Sequence, residues 1–241
     1  MTAKGKSVRP LYLQLRDALA ARISSGEWQS GGPIPNEGDL AHEYSVSPGT
    51  MRKVLVLLES EHLLTREQGR GTFVDDQGTE DVASRFCNIV SAGREPIATR
   101  VELGRTVEAA ANELESTRLG LRPEHRIYRI QRAHFHNDRP LMVEEASLPA
   151  HLFPNLLKGQ ESESAQHLTL LAKRYRILLG RTEEYISIGI AKAAIAETLK
   201  VAVDSPILVL DRVAYDLGGR AIEWRVAYCN FVDEYYVTNS T

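Results

Sequence analysis

Cysteine is almost missing from this chain of 241 residues, which has only two. Cys87 and Cys229 are too few for a disulfide framework and lack zinc-ligand spacing, so they read as reduced structural thiols in a cytoplasmic protein. Long hydrophobic runs are also missing. The longest, such as "PILVL", are far too short to span a membrane, and the start "MTAKGKSVRPLYLQL" has cations but no continuous apolar stretch of the kind a secretory signal needs. Charge of one sign is not in excess either. Against 29 Lys and Arg stand 32 Asp and Glu, a net charge of -3. No global basic field exists to attract nucleic acid, so an anionic partner must be held by a local cluster. There is no internal repeat, no low-complexity tract, no nucleophile motif and no glycine-rich phosphate loop beside a strand.

What is present divides into two parts. In residues 10–25, Leu11, Leu15, Leu19 and Ile23 recur at helical spacing with Arg16, Asp17 and Arg22 off the stripe, which predicts an amphipathic helix. "GEWQSGGPIP" breaks it. A short second helix is expected after Asn36, a plausible N-cap with Glu37 and Asp39 in the first turn. A third starts at Ser47, with Pro48 at its first helical position and Val46 and Met51 placed for a hydrophobic staple. Met51, Val54, Leu55 and Leu58 face a core, while Arg52 and Lys53 point away from it. "LLTREQGRGTFV" then reads as a hairpin whose tight turn uses Gly69 and Gly71.

Three helices and a hairpin within residues 1–75 describe a winged helix-turn-helix, whose third helix enters the major groove by its N-terminal residues. The candidate DNA contacts are Asn36, Ser47, Gly49, Thr50, Arg52 and Lys53, with Arg66, Gln68, Gly69, Arg70, Gly71 and Thr72 from the hairpin. The helix start favours a phosphate and the hairpin arginines suit a narrow minor groove. Nine Lys and Arg balance nine Asp and Glu over these residues, so binding rests on few phosphate contacts and is expected to be salt-sensitive. The competing reading is that Arg52 and Lys53 form a solvated face.

Polar residues 76–84 are expected to form a linker. Over residues 85–241, short strand-like runs ("RIYRIQRAHF", "LMVEEASL", "ILVLDRVAYD", "AIEWRVAYCNFV") surround two stretches read as helical, near residues 165–175 and 183–199. This predicts an α+β domain with an antiparallel sheet. The second stretch, "EEYISIGIAKAAIAETL", is read as core and dimer packing. "HNDRP" joins two strands. A three-residue loop places Arg132, His134 and Glu144 on one face; a two-residue loop brings Glu145 there instead. Arg, His and Glu converging on a sheet face can bind an anionic or polar small molecule, or the pair can be an ordinary cross-strand ion pair. His134 and His136 share a strand face, but two imidazoles do not make a metal site, and no metal or cofactor is expected.

The N-terminal part resembles the GntR family of bacterial transcription regulators. "PLY", the Pro35-Asn36-Glu37 turn, "VS", "TMR" and "GRGTFV" fall in the family's order over about residues 9–74. Gly38 and Pro48 stand where that family usually has arginines that contact DNA, so the operator cannot be taken from relatives. Residues 85–241 resemble the UTRA effector-binding domain of the HutC subfamily, which has a chorismate-lyase-like fold. The carrying residues are Arg132, Pro140, Glu144, Gly219, Arg220, Glu223 and Tyr228. The resemblance implies an effector site of Arg132, His134, Glu144, Glu223 and Tyr228. His134 replaces a second arginine of phosphosugar-sensing relatives, which favours a carboxylate or other polar metabolite. A DNA-binding regulator switched by a metabolite is the expected function. It is expected to be a repressor and a homodimer on a palindromic double-stranded operator. The alternatives are a lyase-like enzyme using the sheet site and a winged helix serving protein contacts only.

Overall fold

A computed structural model describes residues 9–75, 89–122, 124–158 and 167–237. The chain divides into two compact units, Met1–Gln77 and Gly78–Thr241. The expected linker at 76–84 lies outside the described residues.

The described residues of the N-terminal unit form three helices, α1 (Leu11–Ser25), α2 (Glu37–Glu43) and α3 (Pro48–Ser60), then a hairpin of β1 (Leu64–Glu67) and β2 (Gly71–Val74). The helix starts are those the caps require. Asp39 N–H donates to Asn36 Oδ1 at 2.9 Å, and Thr50 N–H to Ser47 Oγ at 3.2 Å. Leu15, Leu19, Leu40, Met51, Val54, Leu55 and Leu58 are buried together, so the apolar stripes of the three helices form one small core. At the hairpin tip, Arg70 N–H donates to Glu67 O and Gly69 has φ of +75°. That turn needs a positive φ at its third residue, where glycine is unstrained. Backbone bonds from Gly31 to Val74 and from Ile34 to Thr72 tie β2 to the loop after α1.

The C-terminal unit is built on a six-stranded antiparallel sheet in the order β4-β5-β6-β9-β8-β7. These strands are β4 (Arg100–Ala110), β5 (Arg126–His136), β6 (Arg139–Pro149), β7 (Leu179–Ile190), β8 (Pro206–Asp216) and β9 (Ala221–Cys229). Two short strands, β3 (Ile89–Ser91) and β10 (Glu234–Tyr236), pair separately. Among the described residues, three further α-helices, α4 (Glu113–Leu119), α5 (Leu168–Arg174) and α6 (Ala193–Leu199), cover the sheet. Alternation along each strand sorts the cover. Leu168, Leu171 and Ala172 of α5 pack with Phe153, Ile130, Ala146 and Leu148 on one face. Leu119 of α4 meets Ile127 and Val213 on the other, and Ala196 of α6 meets Ile207 and Tyr228 there.

Two expectations change. Residues 183–199 are not one helix, because β7 runs to Ile190 and only Ala193–Leu199 is helical. Ile186, Ile188 and Ile190 alternate and are β-branched, which costs rotamer freedom in a helix and suits a strand pairing with β8. Nor are these residues core: Tyr185, Ile186, Ile188 and Ile190 are exposed within this chain. Second, the β5–β6 loop has two residues, Asn137 and Asp138, both at positive φ as a type I′ turn demands. A bulge after His134 then shifts the register by one, so Arg132 still lies opposite Glu144.

Phe153 is fully buried and meets Tyr175 edge-to-face at 5.2 Å. Phe153→Ala is expected to destabilise the C-terminal unit by about 3–5 kcal/mol. Urea unfolding followed by circular dichroism should show the transition midpoint falling at unchanged slope. An unmoved midpoint would refute this centre of the core.

Candidate functional sites

In the N-terminal unit, the cap at Ser47 fixes where α3 begins and hence which residues it presents. Arg52 stands on the exposed face, its side chain 65% accessible, and makes a two-pronged ion pair with Glu37 of α2. Its Nε donates to Glu37 Oε2 at 3.0 Å and its Nη2 to Oε1 at 2.7 Å. The Lys53 ammonium lies 4.5 Å from the ring centre of Tyr12, a cation–π contact between α3 and α1. Thr50 Oγ1 lies 2.9 Å from Ser47 Oγ. On the hairpin, Arg70 pairs with Glu67, and Arg66 stands 3.7 Å from Glu59. Ser47, Gly49, Arg52, Lys53, Arg66, Gly69, Arg70 and Gly71 belong to the exposed or partly exposed surface, as do Asn36, Thr50, Gln68 and Thr72. Three of the four candidate cations therefore have a carboxylate beside them.

In the C-terminal unit, strand alternation and the register of β5, β6, β9 and β8 set charged side chains on the face covered by α5. Arg132 of β5 donates through Nη1 to Glu144 Oε1 at 2.8 Å and to Glu223 Oε1 at 3.2 Å. Arg212 Nη2 donates to the other oxygen of Glu223 at 3.2 Å. Arg225 bridges Glu144 Oε2 at 3.1 Å and Glu184 Oε1 at 3.2 Å, and the Tyr236 hydroxyl also donates to Glu184. His134 Nε2 lies 3.5 Å from Glu144 Oε1, and its Nδ1 lies 3.5 Å from Thr99 Oγ1. Both separations exceed a good hydrogen bond. The side chains of Arg132, Arg212, Arg225, Glu144 and Glu223 are at most 4% exposed.

Electrostatics holds Glu144 and Arg132 ionised. Burial alone would raise the Glu144 pKa, but Arg225, His134 and Arg132 outweigh it and keep the carboxyl well below its usual range. Burial likewise opposes the Arg132 charge, and Glu144 and Glu223 more than restore it. His167, at the start of α5, has its ring 6.4 Å from that of His134. Burial, followed by His134 and Arg132, lowers its pKa. Beside the set, Tyr236 also lines a cavity of about 720 Å³ with Val90, Ala92, Arg94, Tyr235 and Val237.

The structure thus brings Arg132, His134, Glu144 and Glu223 together but not Tyr228. That residue pairs with Val143 and Val209 and packs with Ala191, Ala196 and Ile207 on the opposite face. It lies five positions after Glu223, and an odd offset along a strand reverses the face. Sequence reasoning missed Arg212, Arg225, Glu184 and Tyr236. Arg225 was within reach, since it lies two residues from Glu223 and must share its face. Arg212, Glu184 and Tyr236 required the strand order. Among the described residues, no group of three or more His, Cys, Asp or Glu is placed to hold a metal ion. None of the described helices is long and apolar enough to cross a membrane.

Comparison with known proteins agrees with both halves. Residues 11–74 match the family described as "Bacterial regulatory proteins, gntR family", and residues 92–232 match the UTRA domain. The chain is 28% identical over 232 residues to the transcriptional repressor NagR of Bacillus subtilis, covering 92% of this chain and 91% of that one. It is 26% identical over 217 residues to the mannosyl-D-glycerate transport/metabolism system repressor MngR of Escherichia coli, with 90% of each chain covered. Among solved structures, it is similar to the ligand-binding domain of a Bordetella bronchiseptica protein assigned to the GntR family. That likeness has a TM-score of 0.61 at 21% identity over 65% of this chain and 98% of the other, and bears on the fold. These families and relatives are regulators, which leaves the lyase-like alternative without support. With a helix-turn-helix matched in front and a UTRA domain matched over more than half its length, the chain belongs to the GntR family of bacterial transcription regulators, in its HutC-type branch.

Proposed function

We propose that the protein is a cytoplasmic repressor that binds a palindromic operator as a homodimer. Its operator affinity is set by a small polar or anionic metabolite held on the charged sheet face of the C-terminal unit. The exposed start of α3 supports the DNA half, because its capped first turn and the adjoining hairpin put cations and glycine backbone on one surface. The repressor relatives NagR and MngR support the sign of regulation. The observation that carries the effector half is the buried convergence of Arg132, Arg212, Arg225, Glu144, Glu223 and His134. Such a set offers both donors and acceptors, which suits a ligand with a carboxylate and hydroxyls better than a bare phosphate. A relative named for a mannosyl-D-glycerate system fits that class. Because these side chains are already paired with one another, the ligand enters by exchanging partners. Tyr236, which lines the cavity, and its partner Glu184 are the first pair it meets. A ligand switches DNA binding only if it favours one of two arrangements of the protein, and coupled ion pairs with more than one set of partners provide such arrangements.

The DNA half is tested by gel shift on an operator fragment. Arg52→Ala should weaken binding by about 1–3 kcal/mol, and Lys53→Ala should weaken all sequences alike and reduce the salt slope by about one. Unchanged affinity in both variants would sink the placement of the recognition surface. The effector half is tested by melting the full chain against a panel of sugar acids, dicarboxylates and sugar phosphates, since a ligand of the native state raises the melting temperature. A sugar acid or dicarboxylate should give the largest rise, and His134→Asn should remove it while sparing DNA binding. A rise that survives His134→Asn in full would place the ligand elsewhere.

A further inference from the structure

We propose that Arg52 reads a guanine in each operator half-site, and that Glu37 is the positioning residue that makes this possible. The inference rests on the DNA-binding function proposed above and adds to it a specificity determinant outside α3. A guanidinium has two edges on which N–H groups run in parallel. Glu37 occupies one of them, through Arg52 Nε and Nη2. The other edge, formed by Nη1 and the second hydrogen of Nη2, remains on a side chain that is 65% exposed. Two parallel donors on an exposed edge match the O6 and N7 acceptors that guanine presents in the major groove, the commonest specific arginine contact to DNA.

Charge argues for a base rather than a phosphate. Attraction to phosphates grows with uncompensated positive charge. The Arg52 charge is compensated by Glu37, so the pair adds little to that attraction but keeps its donors. Lys53 presents the contrast, being propped on Tyr12 with no carboxylate partner among the described residues. It is the better phosphate contact of the two. The ion pair also biases a long side chain toward one orientation before DNA arrives. Less rotamer freedom is then lost on binding, and swinging the arginine aside to meet a misplaced base forfeits the pair. Glu37 sits in the first turn of α2 while Arg52 sits on α3, so the orientation of the reading group is set by the packing of two helices. Gly38 and Pro48 supply no side-chain donors at the neighbouring positions, which concentrates base reading on Arg52.

The test uses the full-length protein and duplexes enriched by it from a random library about 30 base pairs long, enough for two half-sites a helical turn apart. Each guanine of an enriched duplex is replaced in turn by 7-deazaguanine, which keeps the base pair and removes N7. Wild type should lose about tenfold or more in affinity at one symmetric guanine per half-site. Arg52→Lys keeps the charge but not the two-pronged edge, and Glu37→Gln keeps the size but not the clamp. Arg52→Lys should bind the unmodified duplex with a salt slope close to that of wild type, and Glu37→Gln with a slope steeper by up to about one, since it leaves the Arg52 charge uncompensated. Both should discriminate against the 7-deaza substitution less than about threefold, well short of a good base contact. Enriched duplexes with no sensitive guanine would overturn the inference and leave the DNA-binding function standing, and so would Glu37→Gln retaining wild-type discrimination. Failure to enrich any duplex would overturn both.

Discussion

The C-terminal unit is organised around one costly constraint: three guanidinium groups and two carboxylates taken almost wholly out of water on a single sheet face. Each buried ion forfeits several kcal/mol of hydration, about that much per charge after relaxation, and only close opposite charges and hydrogen bonds return it. Arg132 between Glu144 and Glu223, Arg225 between Glu144 and Glu184, and Arg212 on Glu223 meet that demand as a chain of shared partners. A network of this kind is a poor device for stability, since an apolar face of equal volume does as well or better. It is a good device for recognition, because removing or exchanging any partner exposes a buried charge and changes the energy of its neighbours. The apolar clusters on either side follow from the same requirement. Tyr128, Ile130 and Leu148 with α5 close one side, and Met142, Leu210 and Cys229 with Tyr236 close the other, which keeps water from screening the pairs.

The N-terminal unit solves the opposite problem. As the DNA-binding unit proposed above, it must present cations to a polyanion while carrying as many acidic as basic residues over positions 1–75. It does so by pairing Arg52, Arg66 and Arg70 with Glu37, Glu59 and Glu67 on its surface. Exposed pairs of this kind hold together by about 0–1 kcal/mol. They therefore orient the arginines without locking them, and they limit non-specific attraction to DNA. For the proposed DNA contacts, such pairing would shift the weight of recognition from bulk charge to shape and hydrogen bonding.

Most of the N-terminal unit was legible in the sequence because its determinants are local. A cap is one residue from the helix it starts, a staple spans five residues, and the hairpin turn needs glycine where φ is positive. Ser47, Asn36 and Gly69 therefore reported their own roles. In the C-terminal sheet, the strand runs flanking "HNDRP" were equally clear. Arg132 facing Glu144 is one of two readings because register depends on loop length and on any bulge, and the bulge after His134 has no local signature. The strand carrying Ile186, Ile188 and Ile190 reads as helix in the sequence because the alanine-rich helix that follows lends it an apparent helical period.

By itself, then, the sequence determined the two-part organisation, the capped helices, the hairpin wing and the antiparallel class of the second unit, all of which follow from patterns within a few residues. Only the tertiary structure decided what those elements bring together. The order β4-β5-β6-β9-β8-β7 sets Arg132 beside Glu223, 91 positions away, adds Arg212, Arg225 and Glu184 to the same cluster, and turns Tyr228 to the far face. The packing of α2 on α3 likewise gives Arg52 its partner Glu37. Propensity and periodicity act along the chain, whereas a buried charge is satisfied by whatever lies next to it in space, and that neighbour is chosen by strand order and helix packing.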